Sequence, residues 1–277
     1  MINLIYKYGE KHIVFTDEVV NKLESYKQKR KEQHESGGIL LGKVYKDLIV
    51  VDTISEPSIE DQSGRYFFKR DVQKAQKIIK VAWEKSRGER IYLGEWHTHP
   101  EDNPIPSSDD SKLINNMLKD SHMEIDFLVM VIIGIVSPHI AVQRKGQKIC
   151  EPLPRVSSKD GLKIILYENQ QGKIMGFKVL GYLNIAPLGY DIYNAAFSQI
   201  FYGSINSIYS LTGVTDYSLE KASNFIRFFV PDIDNSKDKD KIYLLFESMY
   251  IQIQMVQEEM QLKNLSNFVK VNFEKLI

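Results

Sequence analysis

Apolar and polar positions recur in short runs through the first half of the chain, the pattern of partly buried strands punctuated by amphipathic helices. Asn3 to Tyr8 and His12 to Phe15 read as short strands. Thr16 caps a helix with Asp17 and Glu18 in its first turn, where carboxylates favour the positive dipole end; Val19, Leu23 and Tyr26 share one face. The charged stretch Lys27 to Glu35 reads as the solvated end of that helix. Ser36-Gly37-Gly38 breaks the pattern, and Ile39 to Val44 and Leu48 to Ile54 form two strands turning near Lys46-Asp47. Glu56 to Gly64 is a polar loop and Tyr66 to Phe68 a short strand. Asp71 opens a helix whose stripe of Val72, Ala75, Ile79, Ala82 and Trp83 is expected in the core. Ile91 to His97 is a strand, Pro100 to Ser108 an extended loop with three prolines, and Asp109 starts a helix carrying Leu113, Met117 and Leu118. Phe127 to Val136 and His139 to Arg144 make an apolar hairpin through Ser137-Pro138.

Near Pro152 to Asp160 the composition shifts to Pro, Ser and charge, which divides the chain into a domain at 1–155 and another at 156–277. The second holds 9 of the 15 Tyr and 9 of the 13 Phe, too many aromatics for a linker. Leu162 to Glu168 and Lys173 to Leu180 form a hairpin, and Tyr190 onward reads mostly as helix, with Ser218 capping a helix over Leu219 to Phe229. In the last helix Ile242, Leu245, Phe246, Met249, Ile253, Val256 and Met260 share a face, read as core packing or, more sharply, as a partner or dimer contact through 156–277. The fold class is α+β: a mixed sheet flanked by helices, then a C-terminal, mostly helical domain with one β-hairpin.

The longest apolar run is about half the ~20 residues a membrane helix requires, and the N-terminus lacks a signal-peptide core, so no membrane association and a cytoplasmic location are expected. The 36 basic and 36 acidic residues of 277 balance, which gives no case for nucleic-acid binding by bulk charge. One cysteine excludes a disulfide framework, a cysteine-rich zinc finger, and the Pro-Cys-x-x-Cys of zinc deaminases.

Candidate chemistry concentrates in Glu95-Trp96-His97-Thr98-His99-Pro100 and Pro106-Ser107-Ser108-Asp109-Asp110. His97 and His99, two apart at a strand end, point the same way and can meet one zinc ion. Asp110, in the first turn of the helix beyond the proline loop, supplies a third ligand, leaving a fourth position open for water. Asp109 competes for that slot, and spacing favours Asp110. Glu35, at the rim of the apolar strand after Ser36-Gly37-Gly38, is the candidate to take and return a proton. Ser107 can donate a hydrogen bond to an oxyanion.

Glu35, His97-Thr98-His99-Pro100, Pro106-Ser107 and Asp110 together resemble the JAMM signature of the JAB/MPN metalloprotease family, with ten residues between His99 and Asp110. The wording around Gly94 to Pro100 resembles the bacterial branch, which includes proteins of integrative elements and deconjugating peptidases of anti-phage operons. The resemblance covers roughly residues 10–150. It implies an MPN-type, cytidine-deaminase-like sheet, one zinc per chain on His97, His99 and Asp110, Glu35 as general acid/base and Ser107 at the oxyanion. It also implies cleavage after the C-terminus of a ubiquitin-like protein, from a conjugate or a precursor. The rival reading is a non-catalytic MPN scaffold or binding module with a retained metal site. His12, His34, His122 and His139 read as surface or core residues, and Cys150 as an inert thiol.

Overall fold

A computed structural model describes residues 5–120, 125–156, 161–183, 185–186 and 190–275. The start of the first expected strand (residues 3–4), His122 and residues 157–160 of the expected linker lie outside the described residues. Contacts divide the chain into two compact units, Met1–Arg155 and Val156–Ile277.

The first unit is an eight-stranded mixed sheet in the order β1-β2-β4-β3-β7-β8-β9-β10, from β1 (Ile5–Tyr8), β2 (Lys11–Phe15), β3 (Gly37–Val44), β4 (Leu48–Ile54), β7 (Ile91–Thr98), β8 (Phe127–Ile133), β9 (Pro138–Arg144) and β10 (Glu151–Pro152). β5 (Gln62–Gly64) and β6 (Phe67–Lys69) pair separately as a small hairpin. β8 is buried at every position because both faces are covered. Phe127, Val129, Val131 and Ile133 join the core built with α1 (Asp17–Ser25). Leu128, Met130 and Ile132 pack with Ile114 and Leu118 of α3 (Ser108–Asp120). α2 (Val72–Lys85) lies on that second face through Ala75.

Two expectations for this unit are corrected. α1 stops at Ser25, and the charged stretch after it is irregular rather than helical: Lys29 to Glu32 and His34 are exposed as expected, but Gln28 is buried and the buried Lys27 ammonium sits 2.7 Å from Glu24. In α2 only Ala75 is buried, while Val72 and Trp83 are exposed, so its apolar stripe is only partly core.

The second unit is a five-stranded sheet, β13-β14-β12-β11-β15, with α4 (Ile192–Leu211) and α5 (Lys239–Leu262) joined to one core with it. β11 (Leu162–Glu168) and β12 (Ile174–Leu180) are the expected hairpin. The expectation of a mostly helical domain is wrong. Residues 219–229 form β13 (Ser218–Ala222) and β14 (Phe225–Phe229), antiparallel across Asn224 at φ 64°. Asn tolerates that turn conformation, and Phe-Ile-Arg-Phe-Phe is strong β-sequence. β15 (Val269–Lys275) adds a parallel edge strand beside β11. The α5 face bearing Ile242, Phe246, Met249, Ile253 and Met260 is core. A different face exposes Leu244, Ile251, Met255 and Leu262.

Candidate metal centre and cleft

A β-bulge decides which way the histidines face. Leu40 of β3 pairs with Gly94 of β7 and Leu41 with Tyr92, so Leu93 is the extra residue. Leu93 and Trp96 therefore both enter the α1-side core, while Tyr92 packs on the opposite side. Gly94 sits at φ 151°, and a side chain there would collide with the Val129 carbonyl. Beyond the bulge, Glu95, His97 and His99 line one open cleft of about 770 Å³, together with Glu35, Ser107 and Asp110.

His97 Nε2 lies 3.1 Å from His99 Nε2 and 3.2 Å from Asp110 Oδ1, and His99 Nε2 lies 3.6 Å from Asp110 Oδ2. A tetrahedral zinc with ligands at about 2.0–2.1 Å sets donor atoms about 3.3 Å apart, so these three donors fit one face of its coordination shell. Among the described residues they are the group of His, Cys, Asp or Glu side chains so clustered. Asp110 is placed by its helix start: Ser107 N–H donates to Asp110 Oδ2 at 2.7 Å, and Asp110 N–H donates to Ser107 Oγ at 3.1 Å. Burial raises the Asp110 carboxyl, but the hydrogen bond and charge of His97 and the bonds from Ser107 outweigh it, and the group sits well below its ordinary range. Burial lowers His99, helped by its proximity to His97, which favours the neutral imidazole that a metal needs. Asp109 is exposed and pairs with Lys112.

Glu35 is buried, and burial pushes its carboxyl up to about 7, with His97 pulling down and Asp110 and Glu101 pushing up. Its loop is held by residues that carry no obvious sequence signal. Thr98, between the two histidines and fully buried, accepts from Ser36 N–H at 3.0 Å and donates to Gln28 Oε1 at 3.0 Å. Gln28 Nε2 in turn donates to the carbonyls of Gln33 and Arg65. Glu35 N–H donates to the Gly64 carbonyl at 2.7 Å. Phe68 packs on Gly37 so closely that a side chain there would strike its ring. On the cleft floor, Glu95 is buried and takes Arg70 Nε on both oxygens, at 3.0 and 2.9 Å, and Tyr92 OH at 2.6 Å.

The other candidates stay apart. His34 meets Ser63 Oγ at 3.4 Å. Cys150 lies beside Gln143 Oε1, and burial pushes its thiol up to about 11.

Residues 18–145 match the family of prokaryotic homologs of the JAB domain, and residues 162–263 match the family of cysteine protease Prp. A CD-NTase/cGAS isopeptidase of Escherichia coli (strain TW11681) is 41% identical over 103 residues, covering 37% of this chain and 66% of that protein. One from Vibrio cholerae serotype O1 is 42% identical over 98 residues, covering 35% and 63%. The chain thus spans just under two thirds of these relatives' length. The ribosomal processing cysteine protease Prp of Staphylococcus aureus (strain Mu50) is 26% identical over 91 residues, covering 33% of this chain and 83% of that protein. A crystal structure of S. aureus Prp with a covalently linked product peptide covers 41% of this chain and 99% of that one, at 22% identity and a TM-score of 0.35. Residues 156–277 contain neither cysteine nor histidine. No helix among the described residues is long and apolar enough to cross a membrane.

Proposed function

We propose that the first unit, similar over residues 18–145 to prokaryotic homologs of the JAB domain, is a zinc-dependent isopeptidase. It hydrolyses the bond after the C-terminus of a ubiquitin-like protein, freeing it from a target or processing its precursor. The observation that carries this is the meeting of two imidazoles and a carboxylate, 3.1 to 3.6 Å apart, beside a buried glutamate in an open cleft. The isopeptidase names of the most similar relatives support it. A zinc ion on His97, His99 and Asp110 supplies Lewis acidity to a carbonyl and lowers the pKa of water.

Glu35 takes the proton of the attacking water as the carbon–oxygen bond forms, and returns it to the amine as the carbon–nitrogen bond breaks. A carboxyl raised toward 7 by burial holds a proton long enough to deliver it. With its titration near neutrality, one residue can serve as base and then as acid. Ser107 spends its hydroxyl oxygen accepting from Asp110 N–H, which leaves its proton free for an oxyanion. The β5–β6 hairpin walls the cleft with Tyr66 to Arg70, and this wall clamps an extended substrate tail.

The second unit matches a cysteine-protease family without a thiol or an imidazole to activate one. Its role is recognition of the substrate or a partner, not a second cleavage.

The test is zinc by elemental analysis together with cleavage of a ubiquitin-like fusion by the wild type and by Glu35→Gln. About one zinc in both proteins, with cleavage reduced at least ~10²-fold in the variant, supports the reading. Zinc without cleavage in either makes the chain a scaffold with a retained metal site. Equal cleavage by both removes Glu35 from the chemistry.

A further inference from the structure

The β5–β6 hairpin contacts the base and the metal-bearing strand at two separate points. At its turn, the Gly64 carbonyl accepts the backbone N–H of Glu35 at 2.7 Å, and Arg65 extends the attachment, its carbonyl accepting Gln28 Nε2 and its Nη1 donating to the carbonyls of Arg30 and Lys31. At its exit, Arg70 lies one residue past β6 and clasps Glu95 of β7 with Nε shared between both carboxylate oxygens. Glu95 stands two residues before His97 on the same face of β7. Asp61 closes the base of the segment, its Oδ1 accepting Asp71 N–H at 2.7 Å and its Oδ2 accepting Ser58 N–H at 2.7 Å. A charge pair with both partners largely out of water, 18% and 8% exposed, holds its geometry far better than a surface pair and costs desolvation. Packing alone does not call for it in an otherwise apolar sheet.

We propose that Arg70 and Glu95 are positioning residues for the base: they fix the hairpin to the strand of His97, so that the Gly64 carbonyl sets the Glu35 backbone relative to the metal ligands. This deepens the isopeptidase reading and rests on it. The hairpin is then part of the mount of the catalytic carboxylate as well as a wall of the cleft. Catalysis falls steeply with small misplacement of a proton-transfer group, so loosening this clasp acts on turnover rather than on substrate affinity.

The test uses the full chain. Arg70→Ala leaves Glu95 as a buried unpaired charge, so the double variant Arg70→Met/Glu95→Gln, neutral and close in volume, is made beside it. Two readouts are taken. Hydrogen exchange at the Glu35 amide and across residues 62–69 is measured without reference to cleavage. Steady-state cleavage of a ubiquitin-like fusion gives kcat and KM separately, with zinc content measured on each protein. The expected result is at least tenfold faster exchange at the Glu35 amide, kcat down at least tenfold, KM within threefold, and zinc unchanged; Arg70→Lys, which keeps the charge but loses the fixed Nε–H that both Glu95 oxygens share, falls between. Unchanged exchange at Glu35 overturns the proposal. So does a rise in KM alone, which would make the hairpin only a substrate clamp, and so does loss of zinc, which would make the pair a support for the ligands. A wild type that cleaves nothing while the Glu35 amide still loosens in the variants fails the isopeptidase reading and leaves the mount standing.

Discussion

Replacing Thr98 by valine keeps its shape and removes its hydroxyl. The side chain is fully buried between the two metal-facing histidines, accepts from Ser36 N–H and donates to Gln28 Oε1, each at 3.0 Å. Valine leaves the half-buried Ser36 N–H and the buried Gln28 Oε1 without partners, at about 1–3 kcal/mol each, so unit stability should fall by about 2–6 kcal/mol. Thr98→Ser keeps both bonds and loses one methyl, about 1 kcal/mol. Both tryptophans, Trp83 and Trp96, belong to the first unit, so their fluorescence follows its unfolding without signal from the second. At a slope of about 2 kcal/mol per molar urea, the midpoint of Thr98→Val should drop by about 1–3 M, with the slope unchanged. Because Ser36 adjoins Glu35, turnover should fall too, with Thr98→Ser near wild type. A valine variant within ~0.5 kcal/mol of wild type, cleaving at the wild-type rate, would refute the claim that this hydroxyl ties the base loop to the metal strand.

Chelation should lower the melting temperature of the first unit, because a ligand that binds only the folded state stabilises it; His97→Ala should start at the lower value and show no further response, and a chelator response equal to wild type would remove His97 from the ligand set. Thiol alkylation should leave cleavage unchanged, since Cys150 is partly buried with its thiol pushed up to about 11 and the second unit has none; inhibition by N-ethylmaleimide would point to cysteine chemistry. Lys178 is buried, and burial lowers its ammonium to about 8, with Glu274 opposing. The folded value lies below the unfolded one, so the penalty is full below pH 8 and recedes as pH rises toward 10.5. Lys178→Met should therefore flatten the pH dependence of the second unit's stability between pH 8 and 10.5; a melting temperature that still rises over that range as in the wild type would count against it.

Sequence alone determined the parts of this protein that depend on near neighbours. Two histidines two apart on a strand share a side, ten residues from His99 across a proline loop bring Asp110 onto the first turn of a helix, and a continuous Val/Ile run between turn residues reads as a buried strand. His97, His99, Asp110 and β8 were legible for those reasons. The tertiary structure decided what depends on distant partners. The bulge at Leu93-Gly94 turns Glu95 and His97 onto the cleft face, and it is defined only by pairing with Leu40 and Leu41. The segment 27–35 reads as a solvated helix end by charge, yet Gln28 is buried because Thr98 and the Arg65 carbonyl satisfy its amide. Residues 219–229 follow a helix-like cap at Ser218, but the turn at Asn224 and the pairing of Phe-Ile-Arg-Phe-Phe with β12 make them two strands. Arg70 looks like one more surface charge, and becomes a clasp only because folding brings the buried Glu95 to it. Local rules fix which way a side chain points along its own element, whereas burial and pairing across the sheet decide what it meets.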